Sequence, residues 1–167
     1  MAERRRIVPD SSVVLEALFP GTLVGTGLVS IGPRAQTILN AIQGKSVVTF
    51  APEQLIAEVL KGAYRICTDR SAKYLRLTRE HAHAAVSDFL SWPIEFSSSE
   101  DLAPTALALV NDAHVSAPDS WFAACAMHRD AELWISHDQA DGIVSLVRAR
   151  HSKVFTLAER AFLPAQK

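Results

Sequence analysis

The sequence predicts an α/β fold, a three-layer α/β/α sandwich with a mostly parallel central sheet. Three features carry that expectation. Short apolar runs alternate with amphipathic helical stretches along the chain, as parallel strands joined by helical crossovers do. Leu133-Trp134-Ile135 is apolar without alternation, the pattern of a strand buried on both faces. Ala123, Ala124, Cys125 and Ala126 are four small residues in a row, which let a helix lie close to a sheet. The 167 residues are expected to form a single domain over residues 1–167, with its core from about 5 to 157.

The elements follow in order. A first strand is centred on Ile7-Val8 and ended by Pro9-Asp10. Residues 11–19 then read as a helix with Ser11 or Ser12 near its N-cap. Residues 20–33 read as a loop. Its Gly25-x-Gly27 lacks the third glycine and the preceding strand of a dinucleotide fingerprint. Its apolar residues, between Leu23 and Ile31, either pack on the core or form a partner-binding patch. Residues 34–43 form a helix that Gly44 stops. Residues 45–50 are the second strand, and Pro52 suits the first position of a helix over 53–66. Residues 69–92 read as one longer helix pairing with it. Arg70, Lys73, Arg76 and Arg79 recur there every three residues, by default a solvated face. With Arg65 the row is also the best sequence candidate for contacting phosphates. Pro93 places 93–96 on a sheet edge, where proline is tolerated. Helices over 101–114 and from Asp119 onward, a strand over 133–136, a helix over 139–150, a strand over 153–157 and a closing turn complete the chain.

Composition excludes several classes. Hydrophobic content of 49% and charged content of 21% are ordinary for a globular protein, and a net charge of −1 gives no overall basic field. No apolar run is long enough to span a bilayer, and Pro9 and Asp10 interrupt any signal-peptide core. Cys67 and Cys125 are far apart in apolar helical contexts, so neither a disulfide framework nor a zinc site is expected, and a reducing cytoplasm is the natural setting. His81 and His83, two residues apart on a helix, point different ways and are no metal pair.

Four acids stand out. Asp10 and Asp138 each lie just past the end of a strand, and Asp119 lies in the first turn of a helix. Glu58 lies beside Leu55 and Val59; helical side chains lean toward the N-terminus, so it can reach back to the strand ends. Singly, each admits a plain structural reading. Ser116-Ala117-Pro118-Asp119 fits a capping box, and Asp138 suits the N-cap of the next helix. Asp141 reads as a surface acid, and Asp112 stands apart from Asp119 across a helix break. What sets the four apart is that they map to one sheet edge, beyond the carboxyl ends of the strands, where open α/β sheets form their sites. Carboxylates so gathered repel one another and imply a divalent cation. Oxygen ligands without His or Cys favour Mg²⁺ or Mn²⁺.

At these residues the chain resembles the PIN-domain ribonucleases, especially the VapC-like toxins of toxin–antitoxin pairs. The resemblance runs from Ile7 to about Leu157. It rests on Ile7-Val8-Pro9-Asp10-Ser11-Ser12-Val13, on Ala51-Pro52 with Glu58-Val59-Leu60, on Asp119-Ser120-Trp121-Phe122-Ala123, and on Ser136-His137-Asp138. Pro9 and Pro118 before two of the acids, Ser136 in place of threonine, and the bulky His137 depart from the family's pattern. The resemblance implies an endoribonuclease that cuts single-stranded or looped RNA and leaves a 5′-phosphate. In it Asp10, Asp119 and Asp138 hold Mg²⁺ or Mn²⁺, and Glu58 completes the catalytic set, in the shell or as the base. It further implies a homodimer and a small antitoxin that blocks the acidic groove. One rival is an inactive PIN-like interaction or RNA-binding module whose acids serve as caps. Another is an acidic-site phosphatase, disfavoured because Ser12 stands where a second Asp is usual.

Overall fold

The computed structural model describes residues 4–20, 31–68, 77–136 and 143–163. Among them five strands form one all-parallel sheet in the order β3-β2-β1-β4-β5. The strands are β1 (Arg6–Pro9), β2 (Val48–Pro52), β3 (Ile94–Ser97), β4 (Glu132–Ile135) and β5 (Val154–Thr156). Between β1 and β2 come α1 (Ser11–Leu18) and α2 (Ile31–Gln43), and between β2 and β3 come α3 (Gln54–Thr68) and α4 (Arg79–Leu90). Helices α5 (Ser99–Ala113) and α6 (Ala117–His128) carry the chain from β3 back across to β4, and α7 (Ile143–Arg148) joins β4 to β5. One helical layer is built on α1, which packs against β1 and β4 and carries α2, α3 and α4. The other is built on α6, which packs against β1, β2 and β4 and carries α5. The expected sandwich is thus present, and its sheet is parallel throughout.

Sequence chemistry explains the central elements. Ile7, Val8, Leu133 and Trp134 are at most 1% exposed, because helices cover both faces of the sheet. Trp134 lies edge-on to Phe162 at 5.3 Å and beside Phe155 at 5.2 Å, and its indole N–H donates to Glu132 at 2.9 Å. A buried polar handle on a large apolar body needs such an acceptor. Ala123, Ala124, Cys125 and Ala126 are fully buried where α6 meets the sheet, as their size predicted.

The boundaries differ from expectation where side chains cap or break elements. Asp10 itself is the N-cap of α1, accepting from the Ser12 N–H, the task first given to a serine. The second strand lies later, and Pro52 ends it, paired with Ser97, instead of opening α3. Helix α2 starts at Ile31, which is buried; residues 21–30 of the apolar loop lie outside the described residues. The long helix over 69–92 is not found as such: α4 starts at Arg79 because the Thr78 side chain accepts from the His81 N–H. Arg70, Lys73 and Arg76 lie outside the described residues, so of that row only Arg79 is placed. Helix α5 starts at Ser99, two residues early, capped by Ser98, and ends at left-handed His114. The edge position of β3 is as expected.

The tight α6–sheet contact gives a direct prediction. Ala124→Leu should lower stability by about 1–3 kcal/mol, because a core at crystal density cannot admit the added carbons without strain. A chemical denaturation midpoint equal to that of the parent protein would show that α6 lies further from the sheet than described.

Candidate active site

Strand order places β1 beside β4 at the point where the chain reverses direction across the sheet, the switch point at which α/β sheets open a crevice. Asp10 sits there. Its N–H donates to the Trp134 carbonyl at 2.8 Å, one residue past the end of β1. Its side chain is 8% exposed. Asp10 Oδ2 accepts from the Ser12 N–H at 3.3 Å and from the Ser12 hydroxyl at 2.6 Å, and Oδ1 accepts from the Ser11 hydroxyl at 3.4 Å. The Ser12 Oγ in turn accepts from the Ser136 N–H at 3.2 Å. One hydroxyl therefore ties the end of β4 to the acid at the end of β1. Ser11 and Ser12 stand at the helix start, and both also serve the acid. Their second role was signalled by their place directly after a strand-end acid.

Glu58 arrives from α3. It is half-buried, and Ser11 is near enough to lower its carboxyl against the rise that burial causes. Its approach depends on how α1 and α3 cross. A Cβ on Gly62 would lie 2.5 Å from Leu15 Cδ1, so the two helices meet where α3 has no side chain. Glu58 is one turn before Gly62 and Ser11 one turn before Leu15, so the same crossing brings Glu58 to Ser11. Asp119 arrives from α6 as the third residue of the helix. The Ser116 Oγ accepts from the Asp119 N–H at 3.3 Å and donates to Asp119 Oδ2. That is a capping arrangement, and it leaves Oδ1 of Asp119 without a hydrogen bond among the described residues.

Neighbouring negative charge acts on Asp10 and on Glu58. Burial pushes the Asp10 carboxyl up, the Ser12 hydroxyl bond opposes this, and the negative charge of Asp119 pushes it up further. Burial likewise raises Glu58; Ser11 lowers it, Asp10 and Asp119 raise it, and Lys61 offsets part of the rise. Asp10, Glu58 and Asp119 thus share one electrostatic neighbourhood at the carboxyl edge. Asp138, together with His137 and Asp141, lies outside the described residues; Ser136, two residues before Asp138, is fully buried against Ser12. Asp112 pairs at 3.9 Å with Arg150 on the surface. Cys67 and Cys125 are free thiols, with Cys125 buried against Ser97.

The described side chains can be tested against a metal. Among the described residues no group of three or more His, Cys, Asp or Glu side chains is gathered closely enough to hold an ion. The chemistry of the donors nevertheless fits a hard divalent cation: they are carboxylate oxygens without His or Cys, and neighbouring negative charge raises Asp10 and Glu58.

No protein-family model matches the chain, and no curated protein matches it. Among solved structures, its fold is similar to a chain of VapBC2 from Rickettsia felis bound to a DNA fragment from their promoter. The TM-score is 0.58, with 90% of this chain and 98% of that chain covered at 12% identity. At that identity the likeness is one of fold. Among the described residues no helix is long and apolar enough to cross a membrane.

The upward shift of Asp10 has a thermodynamic consequence. A carboxyl raised in the folded state favours folding fully below its ordinary 3.8, and that contribution is lost as pH rises through the folded value. Asp10→Asn keeps an oxygen able to cap α1 and removes the buried charge. In EDTA it should melt at a higher temperature than the parent at about pH 7 and lose that advantage by about pH 4. A difference in melting temperature that does not change with pH would mean that Asp10 carries no buried charge.

Proposed function

We propose that this protein is a Mg²⁺- or Mn²⁺-dependent endoribonuclease of the VapC-like PIN type, the toxin of a toxin–antitoxin pair. The observation that carries the reading is the shared charge neighbourhood of Asp10, Glu58 and Asp119 at the β1–β4 switch point. The fold likeness to a VapBC2 chain supports it. Asp10, Asp119 and Asp138 would hold the ion. When bound, it supplies charge stabilisation to the phosphate oxygens and lowers the pKa of an attacking water.

The chain's own residues do the remainder. Ser12 fixes the Asp10 carboxylate against β4, so the first ligand is set in place before substrate arrives. Glu58, with its proton affinity raised by burial, is suited to take a proton from water at neutral pH. Ser116 holds one oxygen of Asp119 and leaves the other for the ion. In this reading Arg65, exposed in the last turn of α3, and Arg79 contact RNA phosphates. The protein works in the cytoplasm as a homodimer, and a small antitoxin blocks the acidic groove. The second reading is a catalytically inactive PIN-like interaction module, favoured by the capping bond between Ser116 and Asp119.

Cleavage of structured RNA should stop in EDTA and return with Mg²⁺ or Mn²⁺. Asp10→Ala and Asp138→Ala should each lower it by about 100-fold or more, the scale of losing one preorganised charge-stabilising group, without unfolding the protein. Persistent cleavage in either variant means that the site is misassigned. Calorimetric titration with Mn²⁺ separates the second reading. A site that is present in the parent and lost in Asp119→Asn supports the nuclease, whereas no heat in the parent supports the interaction module.

A further inference from the structure

The opposite edge of the sheet carries the opposite charge. At the amino-terminal ends of β1, β4 and β5 an open pocket of about 270 Å³ is lined by Arg4, Arg5, Arg6, Asp130, Glu132 and Lys153. Both carboxylates are already answered. Glu132 takes Arg5 through Nε at 3.1 Å and Nη2 at 2.5 Å, and also takes the Trp134 indole. Asp130 takes Lys153 Nζ at 2.6 Å, and chiefly that bond holds its carboxyl below the usual range. Arg5 is further committed to the Leu163 carbonyl and the Phe162 ring. Arg4 and Arg6 are different. Among the described residues neither has a carboxylate within ion-pair distance, although the charge of Arg6 reaches Asp130 and adds a little to the lowering of its carboxyl. Arg4 donates to the Lys45 carbonyl at 3.2 Å, and Arg6 lies 5.1 Å from the centre of the Phe50 ring, which also carries Arg129 at 4.9 Å. A ring face and a carbonyl position a guanidinium without neutralising it.

We propose that this pocket binds backbone phosphates of RNA, as a second contact for the strand that is cut at the acidic edge. The inference rests on the nuclease reading for its ligand. Guanidinium forks match phosphate oxygens in bidentate fashion. Arg4 and Arg6 are alternate residues of the extended run that opens β1, about 7 Å apart along the chain, a spacing suited to successive phosphates of an extended strand. The four residues of β1 separate the two edges by roughly 13 Å, so only an RNA of several nucleotides reaches both.

The test is RNA binding by fluorescence anisotropy in Asp10→Asn, which holds the strand uncut. The probes are single-stranded RNAs of about 20 and about 5 nucleotides, longer and shorter than the span of the two edges. Arg4→Ala with Arg6→Ala should weaken binding of the longer RNA about 10-fold and lower its salt slope by about 1.4, the value for two single-strand phosphates. The shorter RNA should bind as before, and Arg4→Lys with Arg6→Lys should restore the slope. Arg150→Ala with Arg160→Ala, two exposed arginines outside the pocket, should change neither. Equal weakening by that control pair, an unchanged slope in the pocket variant, or displacement of RNA by dilute inorganic phosphate would overturn the proposal. Binding is read without cleavage. A parent that binds RNA through this pocket but never cuts it removes the nuclease reading and keeps the pocket; a parent that cuts RNA with no pocket effect does the reverse.

Discussion

A sheet in which all strands run the same way delivers every strand end to one side of the molecule, and the rest of this architecture depends on that constraint. Because β1 is central and the chain reverses its direction across the sheet between β3 and β4, the residue after β1 and the residue after β4 become neighbours. The Ser12 hydroxyl closes the gap between them, giving its proton to Asp10 and accepting the Ser136 N–H. Without that bridge a carboxyl as buried as Asp10 would face β4 with one donor fewer, and an incompletely satisfied buried carboxyl is costly.

The helical layers set the remaining geometry by contact. Gly62 lets α3 approach Leu15, and the crossing carries Glu58 to Ser11. On the other face, small residues from Ala123 to Ala126 press α6 onto the sheet and bring Asp119 to the same edge. A glycine and a run of alanines thus position acids that lie about one turn away from them.

Much of this was legible in the sequence. The parallel sheet, the buried β4 and the edge placement of β3 all follow from hydrophobic runs and from the proline that opens the edge strand. The departures arise where one side chain overrides a longer periodicity. Thr78 starts α4 inside what reads as a continuous helix, and Pro52 ends a strand although its residue type also suits a helix start. Ser12 was missed as a bridge because its second partner, Ser136, is 124 residues away, and no local pattern encodes that distance. The amino-edge pocket escaped for a related reason. Three successive arginines look alike in the sequence, and only the pairing of Arg5 with Glu132 separates it from Arg4 and Arg6, which have no ion pair among the described residues.

The partition of charge between the two sheet edges has a consequence for how the protein meets anything charged. Asp10, Glu58 and Asp119 act at the carboxyl edge, whereas Arg4 and Arg6 at the amino edge have no carboxylate within ion-pair distance among the described residues. A polyanion sliding over the surface therefore meets local repulsion at the first and local attraction at the second. Both fade beyond a Debye length, so raising the salt would blunt the preference for one edge over the other.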